Sequence, residues 1–320
     1  MAECLGEAPE PTLLTIIGVI PIDRVRAAAE RARPHVLRSP LIPVEGAQLK
    51  LECLQPTGSF KVRGFFSAAL ALPPDRLRRG LITVSAGNAA QACAYVARQL
   101  GVPCRVFMYD TAPPPKSDGV RRLGGTVIGM PRDELIEWMT SEQWRNEPEA
   151  FIHGFADPDV IAGHGGIGLE LLEDVPNLER VVVPVGGGGL ISGIASALKG
   201  IHPDVEVVGV QSDGYPLWQL AFESGGAVAP KPDTIADGTT APFDPRMFEL
   251  LKECVDRWLI VSEPRLKAAI PEIAATAKVV AEGAGALAYA ALEQLQPGPT
   301  TVAVVSGGNI DPTLLATLLS

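Results

Sequence analysis

The sequence predicts an α/β fold of two domains, each an open, mostly parallel sheet flanked by helices. Three observations predict it. Short apolar runs alternate with amphipathic stretches along nearly the whole chain. The runs are apolar through their centres without polar alternation, as strands buried on both faces of a parallel sheet require. And 320 residues exceed one typical core, at roughly 150 residues per domain.

In chain order, residues 22–33 carry apolar residues near the 3.6 period and predict a helix, and "VRGFFSAALAL" predicts another that starts beside Lys61. "LITV" from Leu81 predicts a strand, followed by a helix over 91–100. "CRVFM" from Cys104 and "GTVIG" from Gly125 predict two more strands, and helices are predicted over 132–144 and 160–173. The strands "RVVVPV" from Arg180, "EVVGVQ" from Glu206 and "RWLIV" from Arg257 come next, then a helix over 264–282 and the strand "TTVAVVS" from Thr300. Pro- and Arg-rich "LALPPDRLRRG" at 70–80 and polar residues 145–159 mark boundaries. The expected division is a large domain from 1–70 and 157–320, with 80–156 a smaller inserted one. The first 12 or so residues, acidic and Pro-containing, are expected to be disordered.

Composition narrows the function. With 27 Lys+Arg against 37 Asp+Glu the net charge is −10, opposite to what a phosphate backbone attracts, so no nucleic-acid partner is expected. No run approaches the roughly 20 apolar residues of a membrane span, and "LLTIIGVIPI" follows acidic residues with no basic flank. The expectation is a cytoplasmic protein without a membrane partner. Five scattered cysteines (Cys4, Cys53, Cys93, Cys104, Cys254) fit buried thiols better than a disulfide framework. The four histidines form no metal-ligand pattern, and no metal is expected.

In "QPTGSFKVRG", Lys61 follows a Gly-Ser turn and opens a helix, with Arg63 a second cation in the same turn. Cations there oppose the helix dipole, so the placement needs another reason. A lysine beside another cation, or desolvated, has a lowered pKa and can form a Schiff base. "VPVGGGGLISG" sets four glycines between an apolar strand and an apolar helix, where backbone N–H groups converge on an anion such as phosphate. "GHGGIG" at 163–168 matches the dinucleotide pattern G-x-G-x-x-G only literally, since it follows polar "DPDVIA" and has no acidic residue about 20 positions on. "VVSGGNI" ends the last strand with Ser306. A Schiff-base lysine, a glycine phosphate cradle and polar strand ends together imply a phosphorylated aldehyde cofactor at the carboxyl ends of a parallel sheet.

With these motifs in order, joined by "LRSPLIPV", "VSAGNAAQACA", "ADPDVIAGHGGIGLE", "IADGTT", "AEGAGALA" and "VVSGGNID", the chain from about residue 22 onward resembles the fold-type II pyridoxal-phosphate enzymes. Within that tryptophan-synthase-β-like class it resembles the serine/threonine dehydratase (ammonia-lyase) and serine racemase group. The resemblance implies pyridoxal 5'-phosphate held by Lys61, with Phe60 beside the ring and Asn88 on its 3-hydroxyl. Gly186, Gly187, Gly188 and Gly189 would bind the phosphate, Gly238 would border the ring and Ser306 would face the pyridine nitrogen. The loop Ser85, Ala86, Gly87, Asn88 and Ala89 would receive the substrate carboxylate through dipoles at a helix start. Lys61 and Ser85 are the expected catalytic residues, the reaction a loss of water from a 3-hydroxy amino acid to give a 2-oxo acid and ammonia, and the assembly a homodimer. β-Replacement or racemase chemistry on the same fold, and a non-catalytic cofactor-binding protein, are the alternatives.

Four departures from the group's pattern matter. Ala86 stands where racemases carry a second Ser that transfers protons. Ala89 stands where many relatives have His, which implies either a roomier pocket for a substrate such as phenylserine or a space refilled by Phe65 or Phe66. Gln211 and Leu217 replace carboxylates of a divalent-cation site, and hard cations need oxygen ligands, usually charged ones; Asp213 is expected to be a turn residue. Gly283 replaces the usual Pro after Glu282, a residue that is either a catalytic group or an ordinary solvated one. Since the chain ends about a dozen residues after Gly308, no C-terminal regulatory domain is expected.

Overall fold

A computed structural model describes residues 18–298 and 300–320; the expected disordered start and Cys4 lie outside them. Among the described residues ten strands form two sheets. β1 (Leu41–Val44), β2 (Ala47–Leu51), β7 (Arg180–Pro184), β8 (Glu206–Ser212), β9 (Arg257–Val261) and β10 (Thr301–Val305) make a sheet ordered β1-β2-β10-β7-β8-β9. All neighbours run parallel except the β1-β2 hairpin. β3 (Leu81–Val84), β4 (Cys104–Tyr109), β5 (Thr126–Met130) and β6 (Ala150–Phe151) make an all-parallel second sheet, β5-β4-β3-β6.

The central strands explain their uniformly apolar sequences. Val181, Val183, Val302 and Val304 enter one core and Val182, Ala303 and Val305 the opposite one, so both faces are covered. Every predicted strand is present. β1, β2 and β6 were not predicted: β1 is a half-buried edge strand carrying Pro43, a residue sheets tolerate at edges, and β6 has two residues.

Among the described residues thirteen α-helices cover the sheets: α1 (Ile22–Ala32), α2 (Lys61–Ala71), α3 (Pro74–Arg79), α4 (Asn88–Leu100), α5 (Pro114–Arg122), α6 (Arg132–Thr140), α7 (Pro158–Asp174), α8 (Gly189–Lys199), α9 (Leu217–Ser224), α10 (Pro245–Cys254), α11 (Glu263–Ala277), α12 (Gly283–Ala290) and α13 (Pro312–Leu319). Two predicted helices are shorter than their periodicity. The one over 132–144 stops at Thr140 because Glu142 turns left-handed at φ 53°, and the one over 264–282 breaks at Lys278, φ 59°. Glu282 therefore caps the start of α12 and does not end α11.

α2 and α7 lie between the two sheets. α2 packs against α1, α4 and α7, and Val62, Phe65 and Phe66 share a core with Leu81 and Val106 of the smaller sheet. "GHGGIG" is the middle of α7: a Cβ at Gly163 would lie 2.7 Å from the Arg63 carbonyl and one at Gly165 2.8 Å from the Gly193 carbonyl. These glycines allow α2 and α8 to approach. The described cysteines are buried and unbridged, with Cys93 Sγ and Cys104 Sγ 3.6 Å apart.

Candidate active site

Three strands deliver polar groups at their carboxyl ends, where parallel sheets bind ligands. β3 leads into Ser85, β7 into Gly186 and β10 into Ser306. The turn before α2 joins them: Ser59 bridges Gly307, the Phe60 N–H donates to the Ser306 carbonyl at 3.0 Å, and the Gly308 N–H donates to the Gly58 carbonyl at 2.8 Å. Gly58 has φ +71°, and a Cβ there would lie 2.5 Å from Asn309 Oδ1. The first residue of α2, Lys61, is thereby fixed beside the end of β10.

Lys61 is half-buried, its Nζ donates to the Gly154 carbonyl at 2.6 Å, and it lies 4.9 Å from the centre of the Phe60 ring. Loss of water lowers its pKa to about 8, with the Glu282 carboxylate opposing. Arg63 is not the cause. Its guanidinium turns away into a buried ion-pair cluster, with Glu52 at 2.8 Å and Glu170 at 2.7 Å, while Lys50 meets Glu170 at 2.6 Å. That cluster is the reason for a cation in the first turn of α2: two cations and two carboxylates balance, and they tie α2 to α7 and to the chain after β2.

The glycine loop begins α8. Gly188 has φ +90° and caps the helix, leaving the N–H groups of the first turn without intrahelical acceptors. Side chains are excluded by neighbours: a Cβ on Gly186 would lie 2.9 Å from Thr239 Cα, and one on Gly187 would lie 2.3 Å from Phe155 Cγ. Gly238 sits in the turn Asp237–Thr239, where a Cβ would meet that of Ala284 at 3.2 Å. Ser306 is buried, its Oγ 3.5 Å from the Ala284 carbonyl.

Residues 85–89 join β3 to α4, which begins at Asn88, three residues before the predicted start. Ser85 Oγ accepts from the Gly87 N–H at 3.0 Å, and Ser85, Ala86, Gly87 and Asn88 are all half-buried. Asn88 Nδ2 donates to Glu282 Oε1 at 2.6 Å, and Asn88 Oδ1 accepts from Asn309 Nδ2 at 2.7 Å. Glu282 is 5% exposed, not solvated, and burial first and the charge of Asp237 second push its pKa up to about 7. Ala89 faces Gly154, whose Cβ, if it had one, would lie 3.2 Å from the alanine methyl. Phe66 instead stacks on His35 at 4.6 Å.

Sequence reading singled out neither the segment 153–155 nor Trp218. His153 Nδ1 accepts from the Ala156 N–H at 3.0 Å, which turns the chain so that Gly154 reaches Lys61 and Phe155 reaches the glycine loop. Burial lowers the His153 pKa to about 4 and keeps the ring neutral. "HGF" has no periodic or motif signal. Asn309 belongs to the polar strand end "VVSGGNI" that the sequence displays. Gln211, expected at a lost cation site, instead caps α9, its Oε1 accepting from the Trp218 N–H at 2.9 Å; Asp213 accepts from the Glu263 N–H in a turn.

The donor set fits a phosphorylated aldehyde. Lys61 offers an amine bonded to a carbonyl and to no carboxylate, the loop at α8 offers N–H groups and room, and a neutral hydroxyl stands at the end of β10.

Comparisons with known proteins agree with this chemistry. A family model described as "Pyridoxal-phosphate dependent enzyme" matches residues 32–307. An L-threonine ammonia-lyase of Thermotoga maritima is 44% identical over 280 residues, 85% of this chain and 69% of that protein. Among solved structures, maize serine racemase superposes with a TM-score of 0.87 at 29% identity, covering 93% of this chain and 96% of that one. The T.th. threonine deaminase superposes with a TM-score of 0.80 at 37% identity, covering 91% of this chain and 99% of that one.

Proposed function

The chain belongs to the pyridoxal-phosphate-dependent enzyme family, and we propose that it is a dehydratase (ammonia-lyase) that removes water from an L-3-hydroxy amino acid and releases a 2-oxo acid and ammonia. The observation that carries this reading is the meeting of Lys61, the Ser85 loop and the glycine loop at the carboxyl ends of three parallel strands.

Pyridoxal phosphate, when bound, supplies a sink for the electron pair left at the substrate Cα. The protein supplies the rest. Lys61 would hold the cofactor at rest and, once free, take the Cα proton; a pKa lowered to about 8 leaves a far larger neutral fraction at physiological pH than an ordinary lysine has. The Ser85 hydroxyl and the N–H groups opening α4 would bind the carboxylate without a cationic side chain. Asn88 is held by two partners, which leaves its second amide hydrogen to aim at the ring 3-oxygen. Ser306, a neutral hydroxyl, would leave the pyridine nitrogen unprotonated, a weaker sink that favours prompt loss of the β-hydroxyl. Methyl at Ala86 transfers no proton, which disfavours racemisation.

Ala89 and Gly154 face each other with a single methyl between them, beside the carbonyl that accepts from Lys61. That contact is close and adds no space, so a bulkier β-substituted serine such as phenylserine is supported only by the small size of the Ala89 side chain. In the same proposal residues 80–156 form the inserted unit that carries the substrate loop, and the enzyme is a cytoplasmic homodimer; among the described residues no helix is long and apolar enough to cross a membrane.

The test is a screen of serine, threonine and phenylserine coupled to 2-oxo acid formation. Turnover with release of ammonia is expected, and kcat/KM for phenylserine should at least equal that for threonine. A strong preference for serine would remove the roomy pocket, and no 2-oxo acid from any of the three would remove the dehydratase.

A further inference from the structure

Four consecutive glycines make a phosphate cradle accessible but also floppy, because each peptide plane between them can flip with little steric resistance. A plane that flips points a carbonyl at the phosphate where an N–H should be. Something must lock them.

Two side chains on the opposite side of the loop engage its carbonyls. Trp218, at the start of α9 and fully buried, donates its indole Nε1–H to the Gly186 carbonyl at 2.5 Å. Gln211, at the end of β8 and 1% exposed, approaches the Val185 carbonyl with Nε2 at 3.4 Å. The same Gln211 accepts through Oε1 from the N–H groups of Trp218 and Gln219 at 2.9 and 3.2 Å. One glutamine thus ties the loop and the helix that carries the tryptophan. Phe243, 5.6 Å away ring to ring, packs on the indole.

Within a trans peptide the carbonyl of one residue and the N–H of the next point in opposite directions. Holding the Val185 and Gly186 carbonyls toward β8 and α9 therefore aims the Gly186 and Gly187 N–H groups to the other side of the loop. We propose that Trp218 and Gln211 are positioning residues that fix the peptide planes of the glycine loop in the orientation that binds the cofactor's phosphate. This rests on the reading of that loop as the phosphate site, and it assigns the two residues no contact with the cofactor.

The experiment compares pyridoxal phosphate with pyridoxal, which lacks the phosphate, as ligands of the apoprotein, following visible absorbance and quenching of tryptophan fluorescence. The variants are Trp218→Phe, which keeps an aromatic ring against Phe243 but removes the donor, and Gln211→Met. Each should raise the dissociation constant for pyridoxal phosphate about tenfold, the size of one lost net hydrogen bond, and leave that for pyridoxal within twofold. Circular dichroism of each apoprotein identifies a variant that has not folded, and the other then carries the test. Equal weakening of both ligands would assign Trp218 and Gln211 to packing alone, and no weakening of either would overturn the proposal. A parent protein that binds the two ligands equally would instead sink the phosphate reading itself.

Discussion

Asn88 donates to a carboxyl group, Glu282, that is almost wholly out of water, across 2.6 Å. The pair links the start of α4, beside the smaller sheet, to the start of α12, beside the larger one. Glu282 also lies where a side chain on Gly307 would be, its Oε1 2.3 Å from the Cβ position. The carboxyl thus occupies the seam between the sheets within one hydrogen bond of a residue assigned to the cofactor.

That seam should make stability depend on pH. The Glu282 pKa is raised from 4.5 to about 7 in the folded protein, so the folded state holds a proton that the unfolded state releases. Its contribution is fully present below about pH 4.5 and is lost as the pH rises to about 7, roughly 3 kcal/mol in all. Glu282→Gln should flatten this loss while keeping an acceptor for Asn88. Urea midpoints of the two apoproteins at pH 5 and 7.5 check it; parallel pH profiles would show that Glu282 ionises normally.

Lys61→Ala should abolish the visible absorbance of lysine-bound cofactor and lower kcat by about 10³-fold or more, because base and cofactor attachment disappear together. The fold should survive, since the side chain makes a single hydrogen bond to Gly154. Absorbance spectra and 2-oxo acid assays read both effects, and a Lys61→Ala protein with parental turnover would exclude Lys61 from the chemistry.

Arg63→Met should destabilise the protein by about 3–5 kcal/mol, the cost of removing one partner from a buried ion pair. Glu52, with 0% exposure, would keep only Ser39 and Gln55 as donors. Arg63→Lys should recover part of the loss and not all, because a single ammonium cannot span both Glu52 and Glu170 as the guanidinium does. Denaturant unfolding measures it; a loss under about 1 kcal/mol would mean the cluster does not hold α2.

Gly187→Ala should weaken cofactor binding about tenfold, since its methyl would lie 2.3 Å from the Phe155 ring and overpacking costs roughly 1–3 kcal/mol. Adding Phe155→Ala should restore most of the affinity. Titration of the single and double variants with pyridoxal phosphate tests the coupling, and additive losses would place the ring away from the loop.

Much of this was readable without coordinates. The central strands announce themselves because valines buried on both faces leave no alternation, and Lys61 and the four glycines because their local chemistry is costly unless used. β1 and β6 were hidden, one by an edge proline and one by having two residues. Arg63 was legible as an oddity but not in its cause: its partners stand 11 and 107 residues away, and no local pattern carries that pairing.

The sequence by itself determined the fold class and marked Lys61 and the glycine run, since these are written in contiguous residues whose periodicity or backbone freedom is distinctive, while residues 85–89 took their proposed role from the family resemblance. Only the tertiary structure decided which groups face one another: Glu282 buried against Asn88, Gly154 beside Lys61 and Ala89, Phe155 on Gly187 and Trp218 behind Gly186. Those pairings join residues far apart in the chain, and the crossovers that bring strands side by side settle them, through burial, electrostatics and contact distances that no single segment contains.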